Sequence, residues 1–247
     1  ASDLELPKVD QRLPRAVLTI GETERVLALP DLETPFGVRD RAMLEVLYST
    51  GIRRQELIAL TIWDLDPERG LLTVRKGKGR KDRVVPAGER AISWIARYST
   101  QARPRLVVPP DAGVLFLTKE GLDFTPDHLS GLVTRYVERA NLGKHGSCHL
   151  FRHTMATLML EGGADIRYIQ AMLGHAELSS TQLYTQVAVG TLKAVHAACH
   201  PGATLGPHRR SADHPALGNG RDDPDDLDGL LAALDHEATE EERRVAR

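Results

Sequence analysis

Residues 70–88 read GLLTVRKGKGRKDRVVPAG, and they break the pattern of everything around them. A Leu-Thr-Val run and an Arg-Val-Val run flank a turn rich in glycine and lysine, the pattern of a β-hairpin. The segments on both sides have helical spacing instead. GVRDRAMLEVLYST (37–50) places Ala42, Met43, Val46 and Leu47 on one side and stops at Gly51, where RRQELIALT starts a further helical turn. Ahead of it, LTIGETERVLAL reads as a helix capped by Thr19, with Leu18, Val26 and Leu29 as its apolar positions. Downstream, ERAISWIARYSTQA, TPDHLSGLVTRYVERANL (Pro126 in its first turn), HLFRHTMATLMLEGG and ADIRYIQAMLGH read as helices. GVLFLT reads as one more short strand, and SSTQLYTQVAVGTLKAVHAACH completes the folded part. One hairpin among many helices predicts a mainly α chain with a small antiparallel β-sheet, an α+β fold.

A chain of 247 residues with 41% hydrophobic content is long enough to bury a sizeable core. No apolar run approaches the roughly 18 residues that span a bilayer, so no membrane partner is expected. The N-terminal ASDLELPKVDQ lacks a basic-then-apolar leader, and two cysteines, Cys148 and Cys199, make no disulfide framework. The expected compartment is the cytoplasm. Charge is distributed unevenly: of 32 basic and 34 acidic residues, 6 and 11 lie in 204–247, leaving 26 and 23 before it. The body is mildly basic and the tail acidic. The expected organisation is an extended lead-in over 1–16, a catalytic domain over 17–203 and a largely disordered tail over 204–247. Within that tail, Leu227, Leu230, Leu231 and Leu234 outline a short amphipathic helix that is too short to be stable alone.

Six polar residues stand at the ends of predicted elements. Arg53 follows Gly51-Ile52 at a helix junction, and Lys78 sits between two glycines at the hairpin tip. His149 and Arg152, three apart at the start of one helix, share a face; His175 follows Gly174 at a helix end, and Tyr184 comes nine positions later. Each has a plain structural alternative. Paired arginines are ordinarily solvated, a lysine-rich tip keeps a sheet edge soluble, and a lone tyrosine is ordinarily a packed aromatic. Together they suit one task, stabilising a negatively charged five-coordinate phosphorus while an oxygen nucleophile attacks it.

The order of these residues resembles the tyrosine recombinases, or phage integrases, and most closely the Xer-type branch. TGIRRQEL is similar to the family's first arginine box, GKGRKDRVVP to its lysine hairpin, HLFRHTMATLML to its His-x-x-Arg box and LGHAELSSTQLYT to its His-to-Tyr box. The resemblance covers roughly residues 8–203. It implies cleavage and rejoining of double-stranded DNA through a 3′-phosphotyrosine by a type IB mechanism, with no metal and no other cofactor. Tyr184 would be the nucleophile and His149 the proton acceptor. Arg53 and Arg152 would grip the non-bridging oxygens, Lys78 would protonate the leaving 5′-oxygen, and His175 would donate to the phosphate. Glu56 would orient His149 or Arg53 from behind, and Arg54, Lys76, Arg80, Lys81 and Arg83 would contact DNA. The family's separate N-terminal clamp domain is expected to be missing from these residues, either because they are a fragment or because the natural protein lacks it. Residues 189–200, with Leu192, Val195 and Ala198 as a narrow apolar stripe, would pack onto a neighbouring copy in a cyclic assembly; packing within one chain is the alternative.

Three rivals share parts of this pattern. A type IB-like topoisomerase uses the same chemistry without pairing two sites, and an accessory member of a recombinase set binds DNA without cutting it. HGSCH (145–149) and HAACH (196–200) also share a His-x-x-Cys-His form that would allow a zinc-holding interaction module, a reading that competes for His149. The acidic tail has two readings of its own: an inert extension, or a mimic of DNA that restrains the basic face.

Overall fold

Helix α2 (Pro35–Thr50) is buried on nearly every side, including its charged residues Arg39, Asp40 and Glu45. A helix in that position must satisfy its charges inside the protein. Asp40 accepts from Arg39 and from the Tyr136 hydroxyl, and Glu45 accepts from Arg41 and Arg90. The computed structural model describes residues 17–75, 82–174, 186–205 and 224–245, and α2 is the strut about which they are arranged.

Helix α1 (Ile20–Leu27) leads into α2, and Thr19 caps it in a reciprocal box with Glu22. Thr34 caps α2, and Gly51 ends it in the left-handed region at φ 60°. A Cβ on Gly51 would lie 2.2 Å from the Met155 methyl, so close packing of two helices adds to the backbone demand for glycine. The chain then turns directly into α3 (Arg54–Ile58). A three-stranded antiparallel sheet follows, in order β1 (Leu65–Asp66), β2 (Leu71–Val74) and β3 (Arg83–Pro86), with Leu72 opposite Val85 and Val74 opposite Arg83. Helix α4 (Glu89–Arg97) runs on through a wide π turn (98–102) and a 3-10 turn (103–105). Helices α5 (Pro126–Arg139), α6 (Cys148–Glu161), α7 (Ile166–Leu173), α8 (Gln186–Cys199) and α9 (Pro224–Val245) complete the order.

Two expectations need correction here. GVLFLT forms no strand. Its backbone makes isolated bridges, Thr61 with Val114 and Leu117 with Asp123, and the carbonyls of Val114, Leu115 and Leu117 are taken up by side chains. Arg103 donates to Val114 O and Leu115 O, and Arg39 donates to Leu117 O. Guanidinium groups thus do the work of a neighbouring strand. The second correction concerns the tail, which was expected to be largely disordered, with one amphipathic segment too short to be stable alone. Pro224–Val245 is a helix of 22 residues packed on α6 and α7.

The apolar interior falls into two clusters. The larger joins α1, α2, the sheet, α4 and α5 with the start of α6. The smaller joins Met155 and Met159 of α6 to Ile169, Met172 and Leu173 of α7, Leu192 and Val195 of α8, and Leu230 and Leu234 of α9. The Leu192–Val195 stripe is therefore buried within its own chain, and His196 behind it sits 2.8 Å from Ser49 O. Burial holds His196 neutral, at about 4 against its ordinary 6.5.

Candidate active site

The last turn of α7 exposes carbonyls that have no partner within the helix. Three arginines from three different elements take them in succession. Arg83 Nε donates to Met172 O at 3.1 Å, Arg152 Nη2 to Leu173 O at 2.9 Å, and Arg53 Nη2 to Gly174 O at 3.4 Å. Arg152 Nη1 also donates to Gly51 O, at the end of α2, at 2.6 Å. The partly negative ends of two helices therefore converge on a buried cation. Gly174 makes the arrangement possible. Its φ is 70°, and a Cβ there would come within 2.9 Å of the Arg83 guanidinium.

Glu56 ties the cluster together. It accepts both terminal nitrogens of Arg83 at 2.7 Å each, Arg53 Nη1 at 3.0 Å and the Arg53 backbone N–H at 2.9 Å. Burial alone would raise its carboxyl. The Arg83 hydrogen bonds, then the charges of Arg83, Arg53 and Arg152, outweigh that and bring it to about 2. The cations remain in excess. Burial, and after it the like charge of Arg53, lowers even the Arg152 guanidinium to about 9. His149 lies one turn before Arg152 on α6. Burial first, then the charges of Arg152 and Arg54, lower it to about 4, which leaves a neutral imidazole at neutral pH.

The fourth acid-base element of the site comes from α9. Glu237 Oε1 lies 2.6 Å from Arg53 Nη2 and Oε2 lies 3.0 Å from Arg152 Nη2, so one carboxylate spans both guanidinium groups. Two residues earlier, Asp235 Oδ1 is 3.2 Å from His153 Nε2.

Of the residues expected from sequence, Arg53, Glu56 and Arg152 meet here and His149 stands beside them. Glu56 contacts Arg53 rather than His149. Lys76, Lys78, Arg80, Lys81, His175 and Tyr184 lie outside the described residues. Two residues of the expected DNA-contacting set are buried in this structure. Arg83 is 5% exposed because it alternates with Val85 on the inward face of β3, where Glu56 receives it. Arg54 is 4% exposed because it turns between α3 and α5, donating to Ser130 Oγ at 3.0 Å. The alternation Arg83-Val84-Val85 carried the signal for Arg83. Glu237 was also missed, although it falls three after Leu234 on the tail's apolar stripe, where an acid needs a cation opposite it. The second His-x-x-Cys-His segment is occupied in packing, with His200 Nε2 2.9 Å from Tyr48 O. Among the described residues no group of three metal-ligating side chains forms.

Comparisons with known proteins agree with this geometry. The phage integrase family profile matches residues 16–190. The chain is 52% identical over 201 residues to tyrosine recombinase XerC 2 of Ralstonia nicotianae, covering 81% of this chain and 58% of that protein. It is similar in structure to the XerA recombinase, with a TM-score of 0.58 and 30% identity over 78% of this chain and 66% of that one. It is also similar to the XerH site-specific recombinase bound to a palindromic difH substrate in a post-cleavage complex, with a TM-score of 0.58 and 28% identity over 75% of this chain and 53% of that one. The chain thus spans less than two thirds of the length of each of these relatives. The profile match over residues 16–190, with the identity to Xer recombinases, places the chain in the phage integrase family, as a Xer-like tyrosine recombinase catalytic domain.

Proposed function

We propose that the protein is a site-specific DNA recombinase that cuts and reseals strands through Tyr184. The observation that carries this reading is the convergence of Arg53 and Arg152 on a single anion position, backed by Glu56 and by helix ends. Two fixed guanidinium groups suit the two non-bridging oxygens of a phosphodiester and stabilise the charge that grows on them during attack. In this reading the Tyr184 oxygen attacks phosphorus, the bond to the 5′-oxygen breaks, and a 3′-phosphotyrosine and a free 5′-hydroxyl result. The phenolic proton passes to His149, whose ring is neutral in the DNA-free chain; the negative charge of an incoming phosphate offsets the arginine charges that disfavour its protonated form. Lys78 supplies a proton to the 5′-oxygen, and His175 donates to the phosphate. The bond energy is kept in the ester, so resealing needs no ATP. The DNA is held by the chain's basic surface on the nucleoid. Copies associate on it through 189–200, which requires the α8 stripe to leave the cluster it occupies in the single chain.

The test is incubation with nicked suicide duplexes. An adduct stable to denaturation, absent in Tyr184→Phe and reduced about a hundredfold or more in Arg152→Ala, is the expected result. Retained duplex binding without any adduct would make the protein a non-cleaving accessory, and plasmid relaxation without two-site recombination would make it a topoisomerase.

A further inference from the structure

The anion position that Arg53 and Arg152 share is filled by the chain's own Glu237. The contact does not depend on that carboxylate alone. Leu230, Leu234 and Ala238, spaced along one face of α9, are 3%, 1% and 8% exposed. The two leucines are buried in the smaller cluster beside Met155, Met159 and Met172. Asp235 adds the contact to His153, the residue after Arg152 on α6. An apolar stripe thus docks the helix, and the acid three residues beyond Leu234 is delivered to the guanidinium pair. A carboxylate offers two oxygens on one centre, one for each arginine, as a phosphodiester does with its non-bridging oxygens.

We propose that α9 is an autoinhibitory plug, in which Glu237 takes the place of the scissile phosphate and must withdraw before DNA occupies the site. This rests on the reading of that site as a phosphate site. Glu237 and a phosphate cannot both hold Arg53 and Arg152, so the two compete. DNA affinity is then reduced by the fraction of molecules in which α9 is docked. The docking is intramolecular, and its two kinds of contact are separable by mutation.

The test uses the full chain in four forms: wild type, Glu237→Gln, the double change Leu230→Asp with Leu234→Asp, and Glu161→Gln. The last removes an equal charge from an exposed position away from the site. A labelled mixed-sequence duplex at low salt and inorganic phosphate, followed by phosphorus NMR line broadening, are the probes. Glu237→Gln and the double variant are each expected to bind duplex about tenfold or more tighter than wild type, while Glu161→Gln does not change. Both are also expected to bind phosphate where wild type does not, and adding Arg152→Ala abolishes that binding. Phosphate gained without any gain for duplex keeps the plug and refutes the DNA reading. Wild-type behaviour toward both probes in both variants overturns the plug. An equal gain in Glu161→Gln also overturns it, because bulk charge then explains the effect.

Discussion

Glu56 is a buried acid surrounded by arginines, and its protonation state is coupled to folding. Its folded value of about 2 lies below the ordinary 4.5, so its contribution is fully present above about 4.5 and is lost as pH falls toward 2. Glu56→Gln leaves Arg83 without its counter-charge and Arg53 with Glu237 alone, and about 3 kcal/mol or more of stability is expected to go with it. Denaturant melts at neutral pH measure that loss, and a wild-type-like midpoint would refute the account. His196 acts in a higher window. Burial depresses its folded value to about 4, so the unfolded chain takes up the proton first. Stability is complete above about 6.5 and falls on the order of 3 kcal/mol as pH drops toward 4. His196→Gln should reduce the pH dependence of thermal melting across that interval, with the remainder carried by His149, which is lowered over the same range. Arg53 and Arg152 were legible because they stand at element ends in a recognisable order, and Glu56 through the family resemblance. The burial of Arg83 was written in the alternation of β3 but overlooked, and that of Arg54 was concealed, since a charge beside another charge looks solvated until its distant partner is known.

Helix boundaries were the most legible part of the fold, because their causes are local. Thr19 with Glu22, Pro126 after Thr125, and Gly51 and Gly174 at left-handed ends each act within a few residues. GVLFLT was misread because its β pattern is answered by distant arginines, and the length and docking of α9, though its leucine stripe was read, were missed because its order comes from leucines meeting α6 and α7. The two reasons a helix end needs glycine can be separated experimentally. Gly163 has a φ of 89° with nothing within 4 Å of an added Cβ, whereas Gly51 combines φ 60° with the Met155 methyl at 2.2 Å. Gly163→Ala is expected to cost about 1–2 kcal/mol for the backbone alone. Gly51→Ala should cost clearly more in the same melts. Equal losses would show that Met155 moves aside freely.

A body with 26 bases and 23 acids carries little net charge, so the grip on a polyanion must come from local clusters. Duplex affinity is expected to fall steeply and linearly in log–log form with salt, and Arg152→Ala should reduce the slope by about one phosphate contact. An unchanged slope in that variant would remove Arg152 from the DNA interface. The distribution of the two thiols has a separate consequence. Cys148 is 2% exposed in the larger cluster and Cys199 is 8% exposed in the smaller one, where burial also raises its thiol above the ordinary 9.0. Each reacts with a thiol reagent only when its own cluster opens. The protein thus contains two chemical clocks, one for each half of its interior. Release of α9 should speed the Cys199 clock and leave the Cys148 clock unchanged.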